Sequence, residues 1–192
     1  MKKLNHPLVF SFMGVDGAGK TTLSKKIKKY FKQSRYLHLK PYILFSDHRT
    51  VIKNPHKQKK SSSFISILRL LSWLISYKIF FFKNKNKKAF IFDRYAHDIL
   101  IDPLRYKHNL SEDLTKIILS YFPSPDLWIF LKPPFKTIKS RKVEVSDFEI
   151  RRQTKEYSNF FKNKKNVILI DRNIHSKQLT STVIKKMKLF VQ

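Results

Sequence analysis

The sequence predicts a three-layer α/β sandwich in which one five-stranded parallel sheet carries helices on both faces. Two observations predict it. Five short apolar runs alternate with segments of helical period, the order expected of strands joined by crossover helices. All three glycines of the 192 residues lie in one turn, between the first apolar run and the first helical segment. A chain of this length fits one domain with a full core, so residues 1–192 are expected to form a single domain.

The first strand is read over residues 8–13 (LVFSFM). The turn that follows is Gly14-Val15-Asp16-Gly17-Ala18-Gly19-Lys20-Thr21-Thr22, and a helix opens near Lys20 and runs to about Phe31. Strand, glycine-rich turn and helix, with the spacing G-x-x-x-x-G-K-T, is the pattern of a phosphate-binding loop. Backbone that curls around an anion needs positions without Cβ, and the N–H groups at the start of the helix then converge on the phosphate. Gly14, Gly17, Ala18, Gly19, Lys20, Thr21 and Thr22 are therefore the expected phosphate contacts. In this pattern Lys20 reaches the β- and γ-phosphates and the Thr21 hydroxyl ligates Mg²⁺.

A second strand is expected at 36–39, ended by Lys40-Pro41, and residues 41–62 read as a long polar loop containing His56. Residues 64–82 then form a helix with few charges. Arg69 and Lys78 argue against a membrane span, and Ser66, Arg69, Ser72 and Ser76 trace one polar stripe on what is expected to be a mostly buried core or interface helix. A helix lying on a membrane surface is the alternative.

The third strand, 89–93, ends abruptly in Asp93-Arg94-Tyr95. Charges delivered at the carboxyl end of a buried strand stand where open α/β sheets bind ligands. Asp93 suits the hydration shell of Mg²⁺, and Arg94 can clamp a second phosphate with its forked donors. Tyr95, His97, Asp98, Asp102, Arg105 and Tyr106 suit a pocket for a polar acceptor. A helix capped by Ser111 runs to about Phe122, strand four spans 127–131, and a helix covers 135–141. Residues 141–152 pack charges between two helical patterns, as a lid closing over phosphates would, with Arg141, Arg151 and Arg152 free to meet the transferring group. The helix from Asp147 to Phe161, strand five at 166–171 and a last helix at 176–190 complete the chain.

This order of motifs resembles the thymidylate kinase family of P-loop nucleoside monophosphate kinases. The likeness rests on the loop from Gly14 to Thr22, on Asp93-Arg94-Tyr95, and on Pro125-Asp126-Leu127 with Leu131 and Pro133-Pro134. It implies a kinase using ATP with Mg²⁺ to phosphorylate a nucleotide or another small-molecule acceptor. It further implies that Asp16 meets the acceptor's sugar hydroxyl, that Arg94 meets its phosphate, and that Asp171 lies near the adenine. Ala18 matches the subgroup without a loop arginine, which leaves the catalytic cation to the lid through Arg141, Arg151 or Arg152. The segment at about 41–88 becomes an acceptor-side insertion. Pairing of two copies through helices, with 64–82 as the surface, is also implied by the resemblance. One motif departs. Where the family carries Thr-Arg-Glu-Pro-Gly-Gly, this chain reads Leu39-Lys40-Pro41-Tyr42-Ile43-Leu44, so the base-recognising part is missing and thymidylate is a doubtful acceptor.

The chain carries 41 basic and 13 acidic residues, a net charge of +28. That balance leaves open a different class of function, a nucleotide-regulated basic protein docking on nucleic acid or an anionic membrane. The lysines spread along the chain instead of forming one block, which fits a solvated surface. Absence of cysteine excludes disulfides and thiolate metal sites. The apolar run after Met1-Lys2-Lys3 is shorter than a secretory signal requires, so a cytoplasmic protein is expected.

Overall fold

A computed structural model describes residues 7–40, 59–141, 145–171 and 177–191. The element order is β1 (Leu8–Met13), α1 (Lys20–Tyr30), β2 (Ser34–His38), α2 (Ser63–Lys83), β3 (Ala89–Asp93), α3 (Asp98–Ile101), α4 (Glu112–Ser120), β4 (Leu127–Leu131), α5 (Phe135–Arg141), α6 (Asp147–Phe161), β5 (Val167–Ile170) and α7 (Lys177–Val191). A 3₁₀ turn at Leu104–Tyr106 separates α3 from α4. The five strands form one parallel sheet in the order β2-β3-β1-β4-β5, the α/β architecture the sequence predicts. Every strand–helix–strand crossover can then bury both faces of the sheet, which is why β1, β3 and β4 are buried at every position.

The chain divides into two compact units. The first comprises Met1–His38, Asn86–Arg94 and Pro125–Gln192 and contains the whole sheet. Its core joins Phe10, Phe12 and Met13 of β1 to Leu23 and Ile27 of α1 and to Ile150, Tyr157 and Phe161 of α6. Phe130 stacks on Phe161 with ring centroids 4.9 Å apart, and Trp128 meets Phe160 and Phe161 edge-on, so aromatic packing fixes the β4–α6 contact. Asp126 accepts the Val9 N–H at 2.7 Å and Asn166 donates to the Pro125 and Asp126 carbonyls, which ties the entry of β4 to its neighbours.

Register decides what stands at the functional end of the sheet. Phe12 pairs with Asp93, and Asp93 pairs with His38, so β1, β3 and β2 finish on one row. β1 lies between β3 and β4, the point at which the winding order reverses and where α/β sheets open a crevice at their carboxyl ends. β2 begins at Ser34, two residues before the expected start, because Ser34 already pairs with Ala89.

The second unit comprises Leu39–Lys85 and Tyr95–Ser124, so the segment expected at 41–88 supplies only part of it. Leu70, Trp73, Tyr77 and Phe80 of α2 are buried with Tyr95, Ile99, Leu119 and Phe122. The Tyr77 ring meets Tyr95 at 4.9 Å and Phe122 at 5.4 Å, both edge-on, and its hydroxyl donates to the Leu39 carbonyl.

The polar stripe of α2 turns inward at Ser66 and Ser76, which corrects the expectation of a mostly buried core helix and leaves the interface alternative standing. Ser66 and Ser76 are buried, whereas Phe64, Ile65, Leu68, Leu71, Ile75 and Phe82 are exposed. The cause is the irregular backbone that follows Asp102, whose carbonyl and amide groups need partners. Arg69 donates to the Tyr106 carbonyl at 2.6 Å and to Ser61 Oγ at 3.1 Å, and Ser66 Oγ accepts the Asn109 N–H at 3.0 Å. By length and composition α2 could cross a membrane, and a third of its most apolar stretch is buried within the protein.

Candidate functional site

The loop between β1 and α1 is shaped by glycine at two places. Gly14 has φ +146° and runs so close to the end of β4 that an added Cβ would collide with the Leu131 carbonyl oxygen. Gly19 is the N-cap of α1 with φ 91°, a left-handed conformation that directs the chain into the helix. With no side chain capping that terminus and no acidic residue in the first turn, the N–H groups and positive end of α1 face whatever the loop encloses. Such a cradle suits a phosphate.

Lys20 is buried and its ammonium group donates to the Gly14 and Val15 carbonyls, each at 2.8 Å, with Asp16 3.9 Å away. The lysine is thus held across its own loop. Asp16 is in turn paired with the guanidinium of Arg94. Arg94 has φ 72°, its N–H donates to the Phe12 carbonyl at 3.0 Å, and its second terminal nitrogen lies 3.4 Å from the Tyr157 hydroxyl. A left-handed arginine directly after a strand is costly without compensation. Here the ion pair and the bond to β1 accompany it, and the side chain is aimed back at the loop.

Asp93 is fully buried. Its Oδ2 accepts from Thr21 Oγ1 at 2.5 Å and from the Tyr36 hydroxyl at 2.9 Å, and its Oδ1 has no hydrogen-bond partner among the described residues. Burial first, then the Asp93 charge, raises the Tyr36 phenol far above its ordinary range, so Tyr36 stays an O–H donor. A buried carboxylate oxygen without a partner is expensive. It fits a hard divalent cation or its water shell, which seeks oxygen ligands. A hydroxyl has one proton and two lone pairs, so Thr21 can donate to Asp93 and still offer oxygen to a cation. Among the described residues no cluster of three or more His, Cys, Asp or Glu side chains is placed to hold a metal. The described residues at this point offer one hydroxyl, of Thr21, and one carboxylate, of Asp93.

The lid residues fall in different environments. Arg141 donates to the Gly17 carbonyl at 3.2 Å, next to the loop. Arg152 is engaged by Glu149 through two bonds, of 2.9 and 2.6 Å, one turn along α6. Arg151 lies over the Phe135 ring at 4.5 Å and lines a cavity of about 590 Å³ with Pro133, Pro134, Lys155 and Asp171. Residues 142–144 of the expected lid and the loop with His56 lie outside the described residues.

Asp16, Lys20, Thr21, Asp93, Arg94 and Arg141 are thus gathered at one end of the sheet in the first unit. Tyr95, Asp98 and Arg105 belong to the second unit, where each has a partner. Tyr95 donates to the Pro123 carbonyl at 2.5 Å, Asp98 accepts from the Tyr106 hydroxyl at 2.6 Å, and Arg105 pairs with Asp102 at 2.9 Å. Two residues at the site escaped the sequence reading, Tyr36 and Tyr157. Both read as ordinary positions in a strand and a helix, and only register and packing bring their hydroxyls to Asp93 and Arg94.

A sequence profile of the thymidylate kinase family matches residues 12–183. No curated protein matches the chain. Among solved structures, thymidylate kinase from Candida albicans is 14% identical with a TM-score of 0.67, over 96% of this chain and 92% of that one. Deoxyadenosine kinase from M. mycoides, with bound dATP, is 19% identical with a TM-score of 0.61, over 94% of this chain and 99% of that one. Thymidylate kinase from Ehrlichia chaffeensis is 16% identical with a TM-score of 0.60, over 95% and 99%. At these identities the structures share the fold, and the profile supplies the lineage. With a match over 12–183, the chain belongs to the thymidylate kinase family.

Proposed function

We propose that this chain is an ATP- and Mg²⁺-dependent phosphotransferase acting on a nucleotide or another small-molecule acceptor. The observation that carries the proposal is the pairing of Thr21 with a buried Asp93 whose second oxygen has no partner, at the foot of a glycine cradle. A turn that merely joined strand to helix would have no use for that carboxylate.

In this reading the N–H groups from Gly14 to Thr22 and the Lys20 ammonium bind the donor phosphates. Lys20 exchanges its bonds to two loop carbonyls for phosphate oxygens, so the loop is braced before the nucleotide arrives. Thr21 and Asp93 would hold Mg²⁺, which would supply charge neutralisation to the donor phosphates. Pro133, Pro134, Phe135, Arg151 and Asp171 line the cavity we assign to the donor base, with the Arg151 plane and the Phe135 ring as its stacking surfaces.

Asp16 and Arg94 are assigned to the acceptor. Their ion pair places a carboxylate to accept from a sugar hydroxyl and a forked donor for an anionic group. Ala18 offers no cation within the loop, and Arg141 at the Gly17 carbonyl is the arginine best placed to supply one, with Arg151 and Arg152 behind it on α6. Phosphoryl transfer needs little covalent chemistry from a protein, so positioning and charge carry the rate.

The test is turnover of ATP by the purified chain with Mg²⁺ and a panel of nucleosides, nucleoside monophosphates including thymidylate, and sugars, with products identified by mass spectrometry. At least one acceptor is expected to gain a phosphoryl group, and Lys20→Ala is expected to weaken ATP binding. The proposal fails if no acceptor is phosphorylated and Lys20→Ala binds ATP as tightly as the native chain.

A further inference from the structure

We propose that Tyr36 is a positioning residue of the phosphoryl-transfer site, holding the Asp93 carboxylate so that its free oxygen faces the cation. The inference rests on the kinase reading above and concerns a residue outside the phosphate loop. Tyr36 stands on β2 opposite Ile91, two positions before the row formed by His38 and Asp93. From there its hydroxyl reaches Asp93 Oδ2 at 2.9 Å, the oxygen that Thr21 also meets at 2.5 Å. Two donors converge on one carboxylate oxygen while the other has none.

That asymmetry has a geometric effect. One hydrogen bond leaves a carboxylate able to turn about its Cβ–Cγ bond, because terminal sp³–sp² torsions are broad. Two bonds from different elements, α1 and β2, fix the plane. Oδ2 is then committed to the protein, and the charge at Oδ1 stays available in one direction. Thr21 cannot supply this constraint alone, since one bond leaves the torsion free and Thr21 is itself exposed in the first turn of α1. Tyr36 is half-buried within the sheet and is the fixed member of the pair. Ordinary packing of a strand residue requires the ring, and Phe would serve. The hydroxyl is what the carboxylate uses.

The experiment measures Mg²⁺ affinity of the ADP complex by calorimetry in the native chain, Tyr36→Phe, Asp93→Asn and the double variant, with ADP affinity in EDTA measured alongside. Tyr36→Phe is expected to weaken Mg²⁺ binding by roughly three- to tenfold, the cost of ordering a freed carboxylate torsion when the cation binds, and to leave ADP affinity in EDTA unchanged. In the Asp93→Asn background the same change should have no further effect on Mg²⁺, because its route runs through that carboxylate. Equal Mg²⁺ affinity in the native chain and Tyr36→Phe overturns the proposal, as does an undiminished effect in the Asp93→Asn background. A native chain that binds neither ADP nor Mg²⁺ with ADP instead overturns the kinase reading, so the two failures are distinct. Should Tyr36→Phe not fold, judged by circular dichroism, 3-fluorotyrosine placed at position 36 keeps the hydroxyl. Its ¹⁹F resonance is expected to shift when Mg²⁺ joins the ADP complex, and a resonance that stays put overturns the assignment.

Discussion

Asp93 at the end of β3 and His108 in the turn before α4 are both buried, and each has one side-chain atom without a hydrogen-bond partner among the described residues, Oδ1 and Nδ1 respectively. The resemblance ends there. Asp93 accepts two bonds on Oδ2, from donors on α1 and β2, and its other oxygen is left with nothing although it shares the negative charge. His108 meets Thr115 Oγ1 at 2.8 Å. The Thr115 proton goes to the Ser111 carbonyl, so the histidine must donate through Nε2 and leave Nδ1 as a lone pair. Burial, reinforced by the Arg69 and Lys60 charges, lowers the ring to about 4 and keeps it neutral. The same formal defect therefore falls on a charged group in one case and on a neutral ring in the other, and only the first fits the cation of the proposed function. An unmet buried charge asks for a ligand; an unmet lone pair does not.

Asp93→Asn tests the first half of this contrast and carries the largest expected effect. The amide keeps an oxygen for Thr21 and Tyr36 and removes the charge that a cation would answer. Turnover of ATP is expected to fall by about 100-fold or more, with the thermal midpoint nearly unchanged. Retained turnover would break the comparison, because the free oxygen would then be a structural defect like that of His108.

Much of this half was legible in the sequence. The sequence singles out the glycines, Lys20, Thr21, Asp93 and Arg94 by residue type and spacing after apolar runs, and the fold gathers them at one end of the sheet. The five strands were legible because burial on both faces leaves continuous apolar runs, as in LVFSFM and LWIFL. Other features were not. Tyr36 meets Asp93 through the register of β2 on β3, a non-local fact that no local pattern encodes. The stripe on α2 was visible as a period, but periodicity cannot say which side faces in. Ser66 and Arg69 turn toward a distant segment after Asp102 that needs hydrogen bonds, and Phe64, Ile65, Leu68, Leu71, Ile75 and Phe82 are left outside while Leu70, Trp73, Tyr77 and Phe80 are buried. The sequence assigns Asp98 and Arg105 to an acceptor pocket, and it carries no local sign of the bonds that each makes within the second unit. Their observed partners, Tyr106 and Asp102, come from the 3₁₀ turn and the residue at the end of α3.

The second half of the contrast is tested by pH. A histidine held at about 4 in the fold and near 6.5 when unfolded binds fewer protons in the native state. Its neutral form stabilises the fold fully above about pH 6.5, and that contribution is lost as the pH falls through about 4. His108→Gln keeps an amide donor for Thr115 and removes the titration. The native urea midpoint is expected to fall more steeply than that of the variant between pH 7 and pH 4.5, a difference that isolates His108 from carboxylates common to both. Parallel pH curves would show that the ring protonates in the fold, and Nδ1 would then need an acceptor.

The smallest expected effect sharpens the comparison by adding a third buried group. Asp98 is as fully buried as Asp93 and stands five residues further along the chain, yet it accepts a 2.6 Å bond from Tyr106 and heads α3. Tyr106→Phe removes that donor and keeps the ring, which meets Trp73 edge-on at 5.6 Å. If Asp98 braces the second unit, the cost is one hydrogen bond to a buried carboxylate, about 1–2 kcal/mol, or a thermal midpoint lower by roughly 2–8 °C. Turnover per folded molecule should stay near the native value. The opposite result, a native midpoint with lost turnover, would move Asp98 to the side of Asp93. Its bond to Tyr106 would then be a resting contact that a ligand replaces, and burial with a partner would no longer separate a structural carboxylate from a functional one.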